Sequence, residues 1–318
     1  MSTAYSFEGR ALTPLDWQAG KTLRWAAWRP DGALALLVGN GGAAFYYDGS
    51  RLLPLATGSR HNLRGAAWSP NARTALLVGN RGAVLLLEGE AFAELPAATS
   101  ENLRRVAWHP SGEYALVVGN AGTVLRYESA TRALWPLPGD RAHTLRAVAF
   151  PPLGSNADRA AVQPAAALIG AYASRWAGYP RPHALYRCDG RYLQSLLATN
   201  DEDDLLAVDW REDGTALVAG YATRPDGSRV NKTLFYDGSA WRTFAWSDER
   251  AVLGGGWRPG SKDALLVGEG GLLLRLDESG RSAALDSGCA DNLIGPFWRP
   301  DGTSALVLRG PGDRVYTV

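Results

Sequence analysis

Trp68-Ser-Pro-Asn-Ala-Arg-Thr-Ala-Leu-Leu-Val-Gly-Asn80-Arg-Gly-Ala-Val-Leu-Leu-Leu-Glu-Gly89 is one copy of a unit that recurs along the chain. Trp28-Arg-Pro-Asp-Gly32 leads to Ala35-Leu-Leu-Val-Gly-Asn40 and Tyr47-Asp-Gly49. Trp108-His-Pro-Ser-Gly112 leads to Ala115-Leu-Val-Val-Gly-Asn120. Trp257-Arg-Pro-Gly260 leads to Ala264-Leu-Leu-Val-Gly268, and Trp298-Arg-Pro-Asp-Gly302 to Ala305-Leu-Val-Leu308. Two divergent copies are anchored at Phe150 and Trp210. The seven anchors Trp28, Trp68, Trp108, Phe150, Trp210, Trp257 and Trp298 are 40, 40, 42, 60, 47 and 41 residues apart. A period of this length with strand-type patterning predicts a propeller.

Each unit divides into four short runs separated by turn residues. Run A is Leu63-Arg-Gly-Ala-Ala-Trp68, stopped by a Pro-containing turn. Run B, Ala75-Leu-Leu-Val-Gly79, is apolar throughout, as a strand buried on both faces should be. Asn80-Arg-Gly82 is the B–C hairpin turn, run C is Ala83–Leu87, and run D is the weaker Ala91–Leu95. Four antiparallel strands make a blade. Small residues before each Trp suit an inner strand crowded at the axis, and the Trp suits the wider gap between blades. The chain is therefore expected to be all-β, a single seven-bladed propeller over residues 1–318. Residues 4–17 match the end of a repeat. The last repeat offers A, B and a C run at Arg314–Val318 but no D, so the N-terminal segment is expected to complete the last blade and close the ring.

The remaining composition limits the partners. With 46% hydrophobic and 20% charged residues and a net charge of +1, neither nucleic acid nor an anionic membrane is an expected partner. Cys188 and Cys289 are too few for a disulfide framework. The N-terminus reads as no secretory signal and no apolar run reaches spanning length, so a cytoplasmic monomer is expected. Lys occurs only at 21, 232 and 262, which reads as a coding bias.

The Trp-x-Pro-Asp-Gly turn, the Ala-Leu-Leu-Val-Gly run and the Tyr-Asp-Gly ending resemble the WD40-like and YVTN-like β-propellers over essentially the whole chain. The Gly-His pair and Trp-Asp dipeptide of strict WD40 repeats are missing, so that family's His-Ser-Trp-Asp network is not carried over. The resemblance implies the fold. Propellers serve as scaffolds, lectins, hydrolases and lactonases, so it implies no one activity.

Three places break the repeat. Blade 4 has an enlarged A–B connection (151–166) and an enlarged B–C connection (171–183), and blade 5 an enlarged B–C connection (221–232). The two B–C insertions offer Tyr172, Arg175, Trp176, Tyr179, Arg181, His183, Tyr221, Arg224, Arg229, Asn231 and Lys232. Aromatic residues with Arg suit a protein interface, or stacking on a sugar; alternatively the loops only cover the blade edge. Secondly, four residues before the anchor lie Arg24, Arg64, Arg104 and Arg146 in blades 1–4, against Leu206, Leu253 and Ile294 in blades 5–7. This half-basic mouth can hold a carboxylate, a phosphate or a partner's acidic side chain. The structural alternative is that each Arg stacks on an aromatic or pairs with a loop carboxylate. Thirdly, Asn200-Asp-Glu-Asp-Asp204, placed in the D–A connection, suits a hard cation or a solvated acidic turn.

Gly39-Asn-Gly-Gly42 and Gly268-Glu-Gly-Gly271 are hairpin turns rather than dinucleotide loops. The histidines His61, His109, His143 and His183 lack metal-ligand spacing. Cys188 suits a packed thiol better than a nucleophile. A non-catalytic scaffold docking a protein partner on the enlarged-loop face is therefore expected, with no cofactor and no catalytic residue. A small-ligand module for a sugar or anion at the channel mouth is the alternative, and a metal-dependent hydrolase or lactonase at Asp203 and Asp204 a third.

Overall fold

Every interruption of the apolar runs is a turn former, so the chain folds back on itself at each one and builds antiparallel meanders. The computed structural model describes residues 4–16, 19–139, 143–155, 166–173, 185–197, 202–224, 226–237, 239–246 and 248–310. Among them are seven four-stranded antiparallel sheets. The chain opens with β1 (Ala4–Phe7) and β2 (Leu12–Pro14). Blade 1 is β3 (Leu23–Trp28), β4 (Ala35–Gly39), β5 (Ala44–Tyr47) and β6 (Leu52–Leu55). Blade 2 is β7 (Leu63–Trp68), β8 (Thr74–Gly79), β9 (Val84–Glu88) and β10 (Ala91–Glu94). Blade 3 is β11 (Leu103–Trp108), β12 (Tyr114–Gly119), β13 (Val124–Glu128) and β14 (Ala133–Leu137). Blade 4 is β15 (His143–Ala149), β16 (Ala167–Ala173), β17 (Leu185–Cys188) and β18 (Leu193–Leu197). Blade 5 is β19 (Glu202–Trp210), β20 (Ala216–Thr223), β21 (Arg229–Tyr236) and β22 (Trp241–Trp246). Blade 6 is β23 (Val252–Trp257), β24 (Asp263–Gly268), β25 (Leu273–Asp277) and β26 (Ser282–Ala284). The last blade is β27 (Leu293–Trp298) and β28 (Ala305–Arg309) with β1 and β2.

The A strands touch their neighbours in sequence, and β27 touches β3, so they form a ring around a central channel. The B strands are buried along their length, as their unbroken apolar sequence requires. The core is not central. It is seven apolar clusters, each made by two neighbouring blades, such as Leu76, Val78 and Leu86 of blade 2 with Val106, Trp108 and Val117 of blade 3. The anchor Trp sits in these junctions and does more than fill space. Its indole N–H donates to the carbonyl that precedes the previous blade's anchor: Trp68 to Ala27, Trp108 to Ala67, Trp210 to Ala149, Trp298 to Gly256 and Trp28 to Phe297, at 3.1–3.3 Å. Two junctions differ. At Phe150, which has no N–H, the ring packs edge-on against His109 and Tyr114. At Trp257 the indole nitrogen is buried without a partner among the described residues, and the Asp209 carboxylate instead accepts the Trp257 backbone N–H at 2.7 Å.

The N-terminal segment closes the ring with two strands rather than one. β1 pairs with β28 (Ala4↔Leu308, Phe7↔Ala305) and β2 pairs with β1. The C position expected for Arg314–Val318, which lies outside the described residues, is thus filled by β1. Its Ala4, Tyr5 and Phe7 are buried there. No helix among the described residues is long and apolar enough to cross a membrane.

Candidate functional site

Regular alternation would turn the residue four before the anchor toward a blade junction, yet in blades 1–6 it lies at the channel mouth because the A strand is bulged there, whereas in β27 Ile294 pairs with Leu308 and the irregularity falls between Ile294 and Phe297. The register slips between Leu23 and Trp25, Leu63 and Gly65, Leu103 and Arg105, and Leu145 and Ala147. Arg24, Arg64, Arg104 and Arg146 are therefore the extra residues of four bulges. A bulge re-aims its side chain out of the pleat. In blades 5 and 6 the same position is Leu206 and Leu253.

Three of these arginines are held from within their own blade. Arg24 Nε donates to Asn40 Oδ1 at 2.6 Å, Arg64 to Asn80 at 2.6 Å and Arg104 to Asn120 at 2.8 Å. The acceptor of each of these bonds is the Asn of the same blade's B–C turn. The turn presents this Asn because the chain reverses with positive φ at Arg81 and Gly82; a Cβ at Gly82 would lie 1.9 Å from the Thr99 carbonyl oxygen, so only glycine fits. Each turn also bonds the connection into the next blade, as Gly41 N–H does to Asn62 Oδ1 at 2.8 Å and Arg81 N–H to Asn102 Oδ1 at 3.1 Å. B–C turns and D–A connections therefore share one face. Blade 4 lacks the Asn, and the Arg146 guanidinium lies 5.4 Å over the Tyr172 ring instead.

The set is electrostatically crowded. Burial first, then the charges of Arg146 and Arg64, push the Arg104 guanidinium down to about 9. Just below the mouth, Arg105 lies 3.8 Å over the Trp25 ring and donates to the carbonyls of Arg64 and Arg104 at 2.7 and 2.8 Å. Burial, then Arg146 and Arg104, hold it well below the ordinary guanidinium range. It has no carboxylate partner among the described residues. Neither Arg105 nor Trp25 was singled out in the sequence, although both stand where blades 2, 4, 5 and 6 carry Gly65, Ala147, Ala207 and Gly254.

The expected long loop of blade 5 is mostly strand. β20 runs to Thr223 and β21 starts at Arg229, and the Arg224 N–H donates to the Ser228 carbonyl at 2.9 Å between them. Extended pairing buries Tyr221 and Asn231. Arg229 lies 5.2 Å over the Tyr221 ring and pairs with Glu269 at 2.8 Å. Asn231 bridges to blade 6, donating to the Arg250 carbonyl and accepting the Val252 N–H, both at 2.9 Å. Of the acidic run, residues 202–204 enter β19 rather than a loop, and Asn200 and Asp201 lie outside the described residues. Asp203 is buried and bonded by Lys232 Nζ at 3.0 Å, and burial together with Asp204 pushes the Tyr221 phenol up. An ammonium group thus occupies one of the two carboxylates, Asp203 and Asp204, on which a metal-dependent hydrolase would rely. No cluster of His, Cys, Asp and Glu suited to a metal ion occurs among the described residues. Burial pushes the Cys188 thiol up to about 11, the behaviour of a packed thiol. Of the blade 4 loop, Tyr172 ends in β16 opposite Thr144; Arg175, Trp176, Tyr179, Arg181 and His183 lie outside the described residues.

A solved structure described as the crystal structure of the β-propeller domain of Cps50 (Swd1) from Myceliophteria thermophila is similar at a TM-score of 0.63 and 12% identity, over 90% of this chain and 96% of that one. At that identity the likeness establishes a shared propeller fold. No protein-family model and no curated protein matches the chain.

Proposed function

We propose that the protein is a non-catalytic propeller scaffold that docks an acidic segment of a protein partner on the face of the B–C turns. The observation that carries this reading is the convergence of arginines from four consecutive blades at one channel mouth, where the charges acting most strongly on Arg104 are those of other arginines. Like charges held together are costly unless an anion joins them, and guanidinium forks suit carboxylates. The Arg–Asn bonds support it as well. They fix each Nε, so less freedom is lost on binding.

Fluorescence anisotropy with a labelled oligoglutamate peptide tests the proposal. Binding should weaken steeply with salt. Arg104→Gln with Arg146→Gln should weaken it by at least about tenfold while the melting temperature holds. Equal binding of oligoglutamate and uncharged peptides, or no effect of the double substitution, would overturn the reading.

A further inference from the structure

The channel is narrow on one side and open on the other. Toward blades 1–3 it is occupied by Trp25 and Arg105. Toward blades 4–7 the inner strands carry small residues, and a cavity of about 390 Å³ remains. Clefts that hold small molecules start at roughly this size. Its walls are chemically distinct. Arg105 and the Trp25 ring form one; Leu206, Leu253 and Ile294, the apolar counterparts of the mouth arginines, form another. Asp209 lines a third, beside the anchors of blades 5 and 6. The cavity runs on to Arg211 and Arg258 in the A–B turns, on the face opposite the mouth.

Among the described residues both ionic groups lack an opposite charge. The charges acting on Arg105 are those of Arg146, Arg104 and Arg64. Asp209 is held by the backbone N–H groups of Trp257 and Trp210 and forms no ion pair among the described residues. No ion pair among the described residues joins them across the space. A ligand meeting both carries its two polar groups at opposite ends, with an apolar body between them.

We propose that this cavity binds a small amphipathic carboxylic acid with a hydroxyl or amine at its far end. Its carboxylate pairs with Arg105 over Trp25, its body lies against Leu206, Leu253 and Ile294, and its terminal donor reaches Asp209. This site is separate from the mouth and takes a different class of ligand.

Calorimetric titration of the full chain tests it with para-hydroxyphenylacetate, para-hydroxybenzoate and γ-aminobutyrate. Phenylacetate, which lacks the donor, and tyramine, which lacks the acid, are controls. At least one of the three acids should bind at one site per chain, and phenylacetate and tyramine at least about tenfold more weakly. Arg105→Met should abolish binding, and Asp209→Asn should erase the preference for para-hydroxyphenylacetate over phenylacetate. Leu253→Trp fills the cavity from a half-buried bulge without touching either charge. It should abolish binding in a protein that still melts cooperatively, whereas Arg104→Gln with Arg146→Gln should leave it intact. No heat from any of the three acids at millimolar concentration, or unchanged binding in Leu253→Trp, would overturn the proposal.

Discussion

Asp209 shows how one substitution changes the chemistry of a repeated position. Blades 1–4 place Ala27, Ala67, Ala107 and Ala149 just before the anchor, where a small side chain suits the crowded axis. Asp209 puts a carboxylate there. Burial raises it from 3.8 to about 6, against two backbone N–H bonds that lower it. The raised value means that the folded protein binds this proton more tightly than the unfolded chain. The ionised carboxylate therefore destabilises the fold, increasingly as pH rises through that interval. Relative to Asp209→Asn, the wild type should lose up to about 3 kcal/mol of stability between about pH 4 and about pH 8. Paired denaturation curves across that range check it. A constant difference would mean that the carboxylate is not buried as a charge.

Blade junctions are the elements that hold the ring. Five of them combine an apolar cluster with one indole hydrogen bond, so their geometry is fixed by direction as well as by burial. The junction at Trp257 lacks the bond and provides an internal control. Trp108→Phe and Trp257→Phe remove similar volumes from buried positions. Only the first also breaks a hydrogen bond and leaves the Ala67 carbonyl without its donor. Trp108→Phe should therefore cost about 1 kcal/mol more, measured by urea denaturation of both variants. Equal losses would show that the indole bond contributes nothing beyond packing.

Across the whole molecule, closure depends on a pairing between the two ends of the chain. β1 and β2 cover the edge of β28 and contribute Tyr5, Phe7 and Leu12 to the cluster between blades 6 and 7. Deleting residues 1–15 would expose an unpaired strand edge and open that cluster. The truncated protein should unfold over a broader range at a lower temperature and should associate, which calorimetry and light scattering detect. A sharp transition at the wild-type temperature would show that the ring does not need this closure.

Blade count, the strand order of the regular blades and the recurrence of an arginine four residues before the anchor were legible in the sequence. Those follow from local rules repeated seven times: apolar period, turn residue, anchor. Departures from the repeat were legible too, but not their meaning. Arg105 and Trp25 replace small residues beside the axis, yet only the curvature of the ring brings them together across Gly65. Blade 5's polar insertion looked like a loop because pairing partners 202–204 and 221–223 are distant in sequence; register turned it into strand. The bulges that aim the arginines, and the void that separates Arg105 from Asp209, arise from packing seven A strands around one axis. That packing couples residues forty and more apart, and no local pattern encodes it.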